Sequence, residues 1–236
     1  MKKIFIILIS ASYFFMTSCD LLLNPGDSGL STEEVVSGLK TALSAGTDSS
    51  TIILHATDGY FKGGAALKIL LPPQADPIFN YVAAHPLIQS ILQPKIDQVI
   101  LSINRSAEDA ASAAKPIFLN AITNMSVTDG LNILNGKTVG VASFDSTAAT
   151  IYLQSKTTTE LTAAFSPYID ASLNKKLVGN MTTNQIWSDL ITTYNALVSS
   201  NQQITGTLGE YATRRALEGM FLKVGTVEKK IRKDPA

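Results

Sequence analysis

The chain has 236 residues, with 19 Lys and Arg against 19 Asp and Glu, so its formal charge is zero. A charged fraction of 16% lies well below the usual quarter and excludes a highly charged, disordered chain, while a single cysteine excludes an internal disulfide framework. With 45% hydrophobic residues, a chain this long buries about 70% of the surface its unfolded form exposes, so a packed core fits, in one domain or two small ones.

Met1 to Ser18 has a positive start, Lys2-Lys3, then the apolar run Ile4 to Ile9 and a mixed stretch to Met16. So short an apolar run falls below the roughly 20 residues that span a bilayer as a helix, and it reads as an export signal. Met16-Thr17-Ser18-Cys19 resembles the bacterial lipobox, whose cysteine is alkylated by diacylglycerol and becomes the mature amino terminus, with Met16 where Leu is commonest. Residues 1–18 are therefore expected to be a lipoprotein signal peptide, Cys19 the lipid attachment, and 19–30 a flexible tether with Pro25, Gly26 and Gly29, reaching at most about 35 to 40 Å. The address this implies is the bacterial cell envelope, on a membrane through lipidated Cys19.

Residues 31–236 read as one helical domain. Ser31 with Glu34 three residues on is a capping box, followed by Val35, Val36, Leu39 and Leu43 at helical spacing and an expected stop at Gly46. Ile52-Ile53-Leu54 is a second short apolar stretch ending near Asp58-Gly59. Between Gly63-Gly64 and Pro72-Pro73, residues 67–71 are too apolar for a solvated loop and too short for a helix, which predicts an extended, buried crossing. Ala75 to Met125 is helix-rich, with interruptions expected at Pro86, Pro94 and Pro116. Its stripe from Ile96 through Val99, Ile100 and Ile103 shrinks to Ala107, Ala110, Ala111 and Ala114, where a neighbouring helix can approach closely. Ser126 to Asp129 reads as a break and new cap before a short helix from Gly130 to Asn135, closed by Gly136, and 137–145 as a loop or small hairpin. Thr147 to Val178 follows as one bent helix or two, punctuated at Pro167, then amphipathic helices over Thr183–Val198 and Leu208–Lys233. The fold class is all-α: a single multi-helix domain with one short extended segment or hairpin.

Little in the sequence carries recognisable chemistry. His55 and His85 sit in no HExxH pattern, and with the one cysteine committed to the anchor no metal site or other cofactor is expected. Phosphate-binding glycine loops and GxSxG elbows are absent. The densest polar grouping is Asn104-Arg105 with Glu108-Asp109. On an exposed helix face Arg105 and Asp109 pair at four-residue spacing; in a cleft, Arg105 and Glu108 would need a partner such as Asp129 or Glu210. Arg214-Arg215 with Glu210 and Glu218 is a second grouping. The candidate functional cluster is thus Asn104, Arg105, Glu108, Asp129 and Arg214.

Charge is unevenly spread: Glu210 to Ala236 holds seven basic against four acidic residues, whereas Cys19 to Gly209 holds ten against fifteen. Lys229, Lys230, Arg232 and Lys233 read as compensation of a helix carboxyl end. Without interleaved aromatics they give no footprint for nucleic acid.

Val36-Ser37-Gly38-Leu39-Lys40, Ile69-Leu70-Leu71-Pro72, Asn104-Arg105-Ser106-Ala107-Glu108, Ala114-Lys115-Pro116-Ile117-Phe118, Ile133-Leu134-Asn135-Gly136, and Tyr211 through Phe221 are separated segments in one order along the chain. Together they resemble the uncharacterised bacterial family DUF4197. The resemblance implies a mainly helical exported domain and brings no activity, ligand or catalytic residues; residues 137–145 stand as an insertion against it. The expected function is a lipid-anchored envelope protein that binds or scaffolds a partner protein or an apolar ligand, without catalysis. The alternative is an envelope enzyme of hydrolase or transferase class using Arg105 and Glu108 in a cleft.

Overall fold

A computed structural model describes residues 29–138, 141–178, 180–196, 198–203, 205 and 207–233. The signal segment 1–18, Cys19 and the tether to residue 28 lie outside the described residues.

Helix α1, Thr32–His55, begins at the expected box: Glu34 N donates to Ser31 Oγ at 3.2 Å and Ser31 N to Glu34 Oε2 at 2.7 Å. It does not stop at Gly46. A glycine costs a helix interior about 1 kcal/mol, but this one is buried, and an added Cβ would meet Ile231 Cδ1 at 3.2 Å and Val227 Cγ1 at 3.4 Å. Packing against the last helix overrides the local preference, and Ile52-Ile53-Leu54 becomes the final turn of α1, with Leu54 fully buried.

Residues 56–72 form an irregular crossing. Asp58 adopts φ +69, and Leu67, Ile69 and Leu71 are buried while Leu70 faces out. A 3-10 turn at Pro73–Ala75 leads into α2, Asp76–Ala84, and α3, Pro86–Ala111. Of the four prolines expected to break helices only Pro86 stands at a junction, as the first residue of α3. Pro94 lies inside α3, Pro167 inside α6 (Ala148–Leu173), and Pro116 in the first turn of α4 (Ala114–Thr123). Pro94 and Pro167 lie on exposed faces, where the carbonyls their rings disengage are open to solvent, and the helices continue.

Helix α5, Val127–Leu134, starts at the Ser126–Asp129 box, three residues earlier than expected, and Gly136 at φ +62 ends it. The 137–145 segment holds one antiparallel bridge, Thr138 to Val141. An unexpected hairpin pairs β1, Lys176–Val178, with β2, Met181–Thr182, through Asn180 at φ +71. Helix α7, Thr183–Asn195, and α8, Leu208–Lys233, complete the chain. The all-α class stands, with eight helices among the described residues.

The core is continuous from Leu43 to Val224. Helix α3 packs on α6, and α8 packs on both α1 and α6. Ala107, Ala110, Ala111 and Ala114 are fully buried where α3 meets its neighbours. Phe118 and Phe221 meet edge to face at 6.0 Å, tying α4 to α8. No helix among the described residues is long and apolar enough to cross a membrane.

Candidate functional site

Asn104, Arg105 and Glu108 lie together on the buried side of α3, and what they hold is backbone. Asn104 accepts from Ile69 N at 2.9 Å and donates from Nδ2 to Ile69 O at 2.7 Å, as a strand partner would, and it also reaches Ile100 O. Glu108, 3% exposed, accepts from the N–H groups of Tyr60 and Phe61 at 3.2 Å on Oε1 and from Arg105 at 2.6 Å on Oε2. Arg105 continues to Asp58 Oδ1 at 2.7 Å, and Lys62 pairs with Asp58 Oδ2 at 2.8 Å. Lys68 and Arg105 lie 4.5 and 5.8 Å from the Phe61 ring centroid.

The partner that Arg105 takes is thus Asp58, and neither Asp129 nor Glu210 fills that role. The expected Arg105–Asp109 pair is replaced: Asp109 faces out and meets Lys175 at 3.3 Å. Hydrogen bonds from Lys62 and then Arg105 hold the Asp58 carboxyl below its usual range, and the bond to Glu108 leads the causes that raise Arg105. Burial, with Glu108's charge behind it, pushes the Tyr60 phenol up; its hydroxyl donates to Ala216 O at 2.8 Å. With both oxygens engaged, the Glu108 carboxylate is suited to fastening the 56–72 crossing onto α3 and poorly placed to take a substrate proton. His55 Nδ1 lies 2.8 Å from Glu108 O, and His85 stacks on Tyr81 with ring centroids 4.3 Å apart.

Asp129 stands apart from this cluster, its Oδ2 accepting from Ser126 N and Oγ in the capping box that opens α5. Arg214 stands apart too, its guanidinium 5.7 Å from the Tyr211 ring while its neighbour Arg215 pairs with Glu218. Sequence reasoning missed Glu228, 5% exposed on α8. It accepts from Ala149 N at 3.0 Å, Thr150 N at 2.9 Å and Thr150 Oγ1 at 2.7 Å, supplying α6 with the N-terminal cap that Thr147 does not make. Arg232 neutralises it at 2.8 Å. The available signal was a Glu–Arg pair four apart on the last helix, which looks the same when solvated.

Arg214 belongs to a different feature. Two clefts, of about 470 and about 320 Å³, share Ser166 and Glu210 and so form one groove between α6 and α8. Its α6 wall is a ladder at four-residue spacing, Gln154, Thr158, Thr162, Ser166 and Asp170, about 24 Å long at 1.5 Å per residue. Thr158, Thr162 and Ser166 donate back to the carbonyls four residues earlier at 2.6, 2.8 and 3.0 Å, leaving lone pairs for the groove. Leu208, Leu217, Phe221 and Trp187 are buried along its base, and Glu210 and Arg214 stand exposed on the α8 side. Among the described residues no cluster of three or more His, Cys, Asp or Glu is gathered as a metal ion requires.

A family model described as "Protein of unknown function (DUF4197)" matches residues 29–236. No curated protein and no solved structure matches the chain.

Proposed function

The chain belongs to the DUF4197 family, and from that premise we propose that it is a lipid-anchored protein of the bacterial cell envelope that binds a partner protein and catalyses no reaction. Cys19, with small residues before it, is the anchor, and the tether to residue 30 lets the helical domain search for its partner near the membrane. The observation that carries the binding reading is the groove between α6 and α8. Its length suits an extended segment of about seven residues. Its hydroxyl ladder and its charges, Glu210 and Arg214, favour a polypeptide over an acyl chain, which would bury them without partners. The enzyme reading draws no support from Arg105 and Glu108, which hold backbone groups.

The test uses the full-length precursor in a bacterial host. Cys19→Ala is expected to abolish incorporation of radiolabelled fatty acid and to release the protein from membranes; persistence of either overturns the anchor. A photo-crosslinking residue at Thr162, inside the groove, is expected to give a product with one defined envelope protein whose joined peptide is mapped by mass spectrometry. The same residue at Glu160, on the opposite face of α6, gives none. Equal products from both positions, or a lipid recovered from the groove by solvent extraction, overturns the partner-protein reading.

A further inference from the structure

One end of the molecule gathers positive charge and exposed apolar side chains around the root of the tether. Helices α1 and α8 run antiparallel: Gly46 of α1 packs on Val227 and Ile231, while Tyr60, just past the end of α1, lies against Gly219. The start of α1, where residues 29–31 lead in from the tether, therefore adjoins the last turns of α8. Gly38, Leu39, Leu134 and Ile231 line one small cleft there, which brings α1, α5 and α8 together. Arg232 donates to Ile133 O at 2.9 Å, and the Phe144 ring of the 137–145 loop lies 5.6 Å from the same guanidinium.

At about 100° per residue, Lys229, Lys230, Arg232 and Lys233 share one side of the last turn of α8, and Ile231 takes the other, toward Gly46. Lys229, Lys230 and Lys233 are exposed, as is Lys137 at the foot of the loop, and none of the four makes an ion pair among the described residues. The carboxylates around them are engaged: Glu34 and Asp129 in capping boxes, Asp145 by Thr147, Glu228 by Arg232 and the start of α6. Glu33 is the uncommitted one among the described residues of this end, and Asp234 lies outside them.

Compensation of the helix carboxyl end accounts for cations here, but not for what stands beside them. Phe144 is 63% exposed, Val141 44% and Leu30 72%. Unpaired lysines next to exposed large apolar side chains match a surface of anionic headgroups over hydrocarbon. An acidic soluble protein would engage the lysines and gain nothing from an aromatic ring left in water.

We propose that this end is the face the domain sets against an anionic bilayer, with Lys137, Lys229, Lys230 and Lys233 among the headgroups and Phe144 and Val141 at the boundary with the acyl chains. It adds a second membrane contact to the one through Cys19 and rests on that anchor only for keeping the face near the bilayer. With the last turn of α8 on the membrane, Gly209 at the far end of the groove lies about 36 Å further along the helix, open to a partner.

The test uses the full lipidated chain held in vesicles. Its single cysteine is then blocked by lipid, so Val141→Cys or Tyr168→Cys accepts one nitrobenzoxadiazole fluorophore. Tyr168 is exposed two residues from Asp170, at the other end of α6. In vesicles of phosphatidylcholine and phosphatidylglycerol, the probe at 141 is expected to shift to the blue and be quenched by nitroxide-bearing lipid, and the probe at 168 to do neither. High salt, or phosphatidylcholine alone, is expected to release it. Lys229→Gln, Lys230→Gln and Lys233→Gln together are expected to do the same, each shifting the docked-to-undocked ratio by about fivefold; the matching triple arginine variant keeps the quenching. A probe at 141 that stays in water while the protein is held in anionic vesicles, an equal response at 168, or unchanged quenching in the triple glutamine variant overturns the proposal. Failure to float with phosphatidylcholine vesicles overturns the anchor instead. Flotation of that unanchored chain with phosphatidylglycerol vesicles then still upholds the face, and its absence overturns it.

Discussion

Glu108→Ala removes the acceptor of two amides in one step. Tyr60 is fully buried, and its N–H and that of Phe61 both end 3.2 Å from Glu108 Oε1. Each buried donor left without a partner costs about 1–3 kcal/mol. The Arg105 side chain is 36% exposed and keeps Asp58, so losing its bond to Glu108 adds at most about 1 kcal/mol. The expected loss is therefore about 3–5 kcal/mol, out of the about 5–15 kcal/mol that stabilises a typical domain. Equilibrium urea unfolding of the Cys19→Ala protein at pH 7 measures it. At a slope near 2 kcal/mol per molar, the midpoint falls by about 2 M with the slope unchanged. Arg105→Ala leaves both amides satisfied but strips the buried Glu108 carboxylate of its counter-charge, and is expected to cost about 3–5 kcal/mol by that separate route. A Glu108→Ala loss below about 1 kcal/mol refutes the assignment of Glu108 as the holder of the crossing.

Two glycines predict opposite signs for one substitution. Gly219→Ala, inside α8, sets a Cβ 2.7 Å from Tyr60 Cε1 and is expected to destabilise by about 1–3 kcal/mol, whereas Gly38→Ala in α1 meets nothing within 4 Å and is expected to stabilise by about 0.5–1 kcal/mol; urea midpoints moving the same way contradict the packing. Stability should also be pH-dependent at both ends. Asp58, Asp145 and Glu34 are held below their ordinary values by hydrogen bonds from Lys62, Thr147 and Ser31 respectively. Their contribution is present above about pH 4 and is lost as pH falls through the depressed values, so a urea midpoint that stays constant down to pH 2 counts against those bonds. Tyr60, raised by burial, keeps its proton in the fold while the unfolded chain loses it, so stability declines from about pH 10 upward. Tyr60→Phe should cost about 1 kcal/mol at pH 7 and make that alkaline decline shallower, with a remainder from the partly buried Tyr152 and Tyr211; an unchanged alkaline slope excludes Tyr60 as its source.

What was legible in the sequence is what neighbouring residues decide. The capping boxes at Ser31 and Ser126 are written within four residues, and the bounds of α8 follow from one amphipathic run. Asn104, Arg105 and Glu108 stand out because they are close along the chain. Their partners are not: Asp58 lies 47 residues from Arg105, Tyr60 lies 48 from Glu108, and Glu228 caps Ala149 from 79 residues away. Periodicity tells which face of a helix is buried and leaves open which element arrives to cover it. The same gap explains Gly46, a stop by local rule and a contact with Ile231 in the fold. It explains Trp187 as well, which the sequence offers as one more apolar position on α7 and the fold makes a donor without an acceptor.

Glu108 and Glu228 are two uses of one device, and the device bears on the groove. Each is a nearly buried carboxylate on a long helix, each accepts two backbone N–H groups of a remote segment, and each is neutralised by an arginine three or four residues away. Glu228 ties the start of α6 to the far end of α8, while Asp170 near the end of α6 fits against Gly209 at the start of α8. The two walls of the groove are thereby held together by a charged cap at the end where Glu228 meets α6. A groove fixed in this way presents its hydroxyl ladder already in register, so an incoming segment loses its own freedom but the site orders little in return.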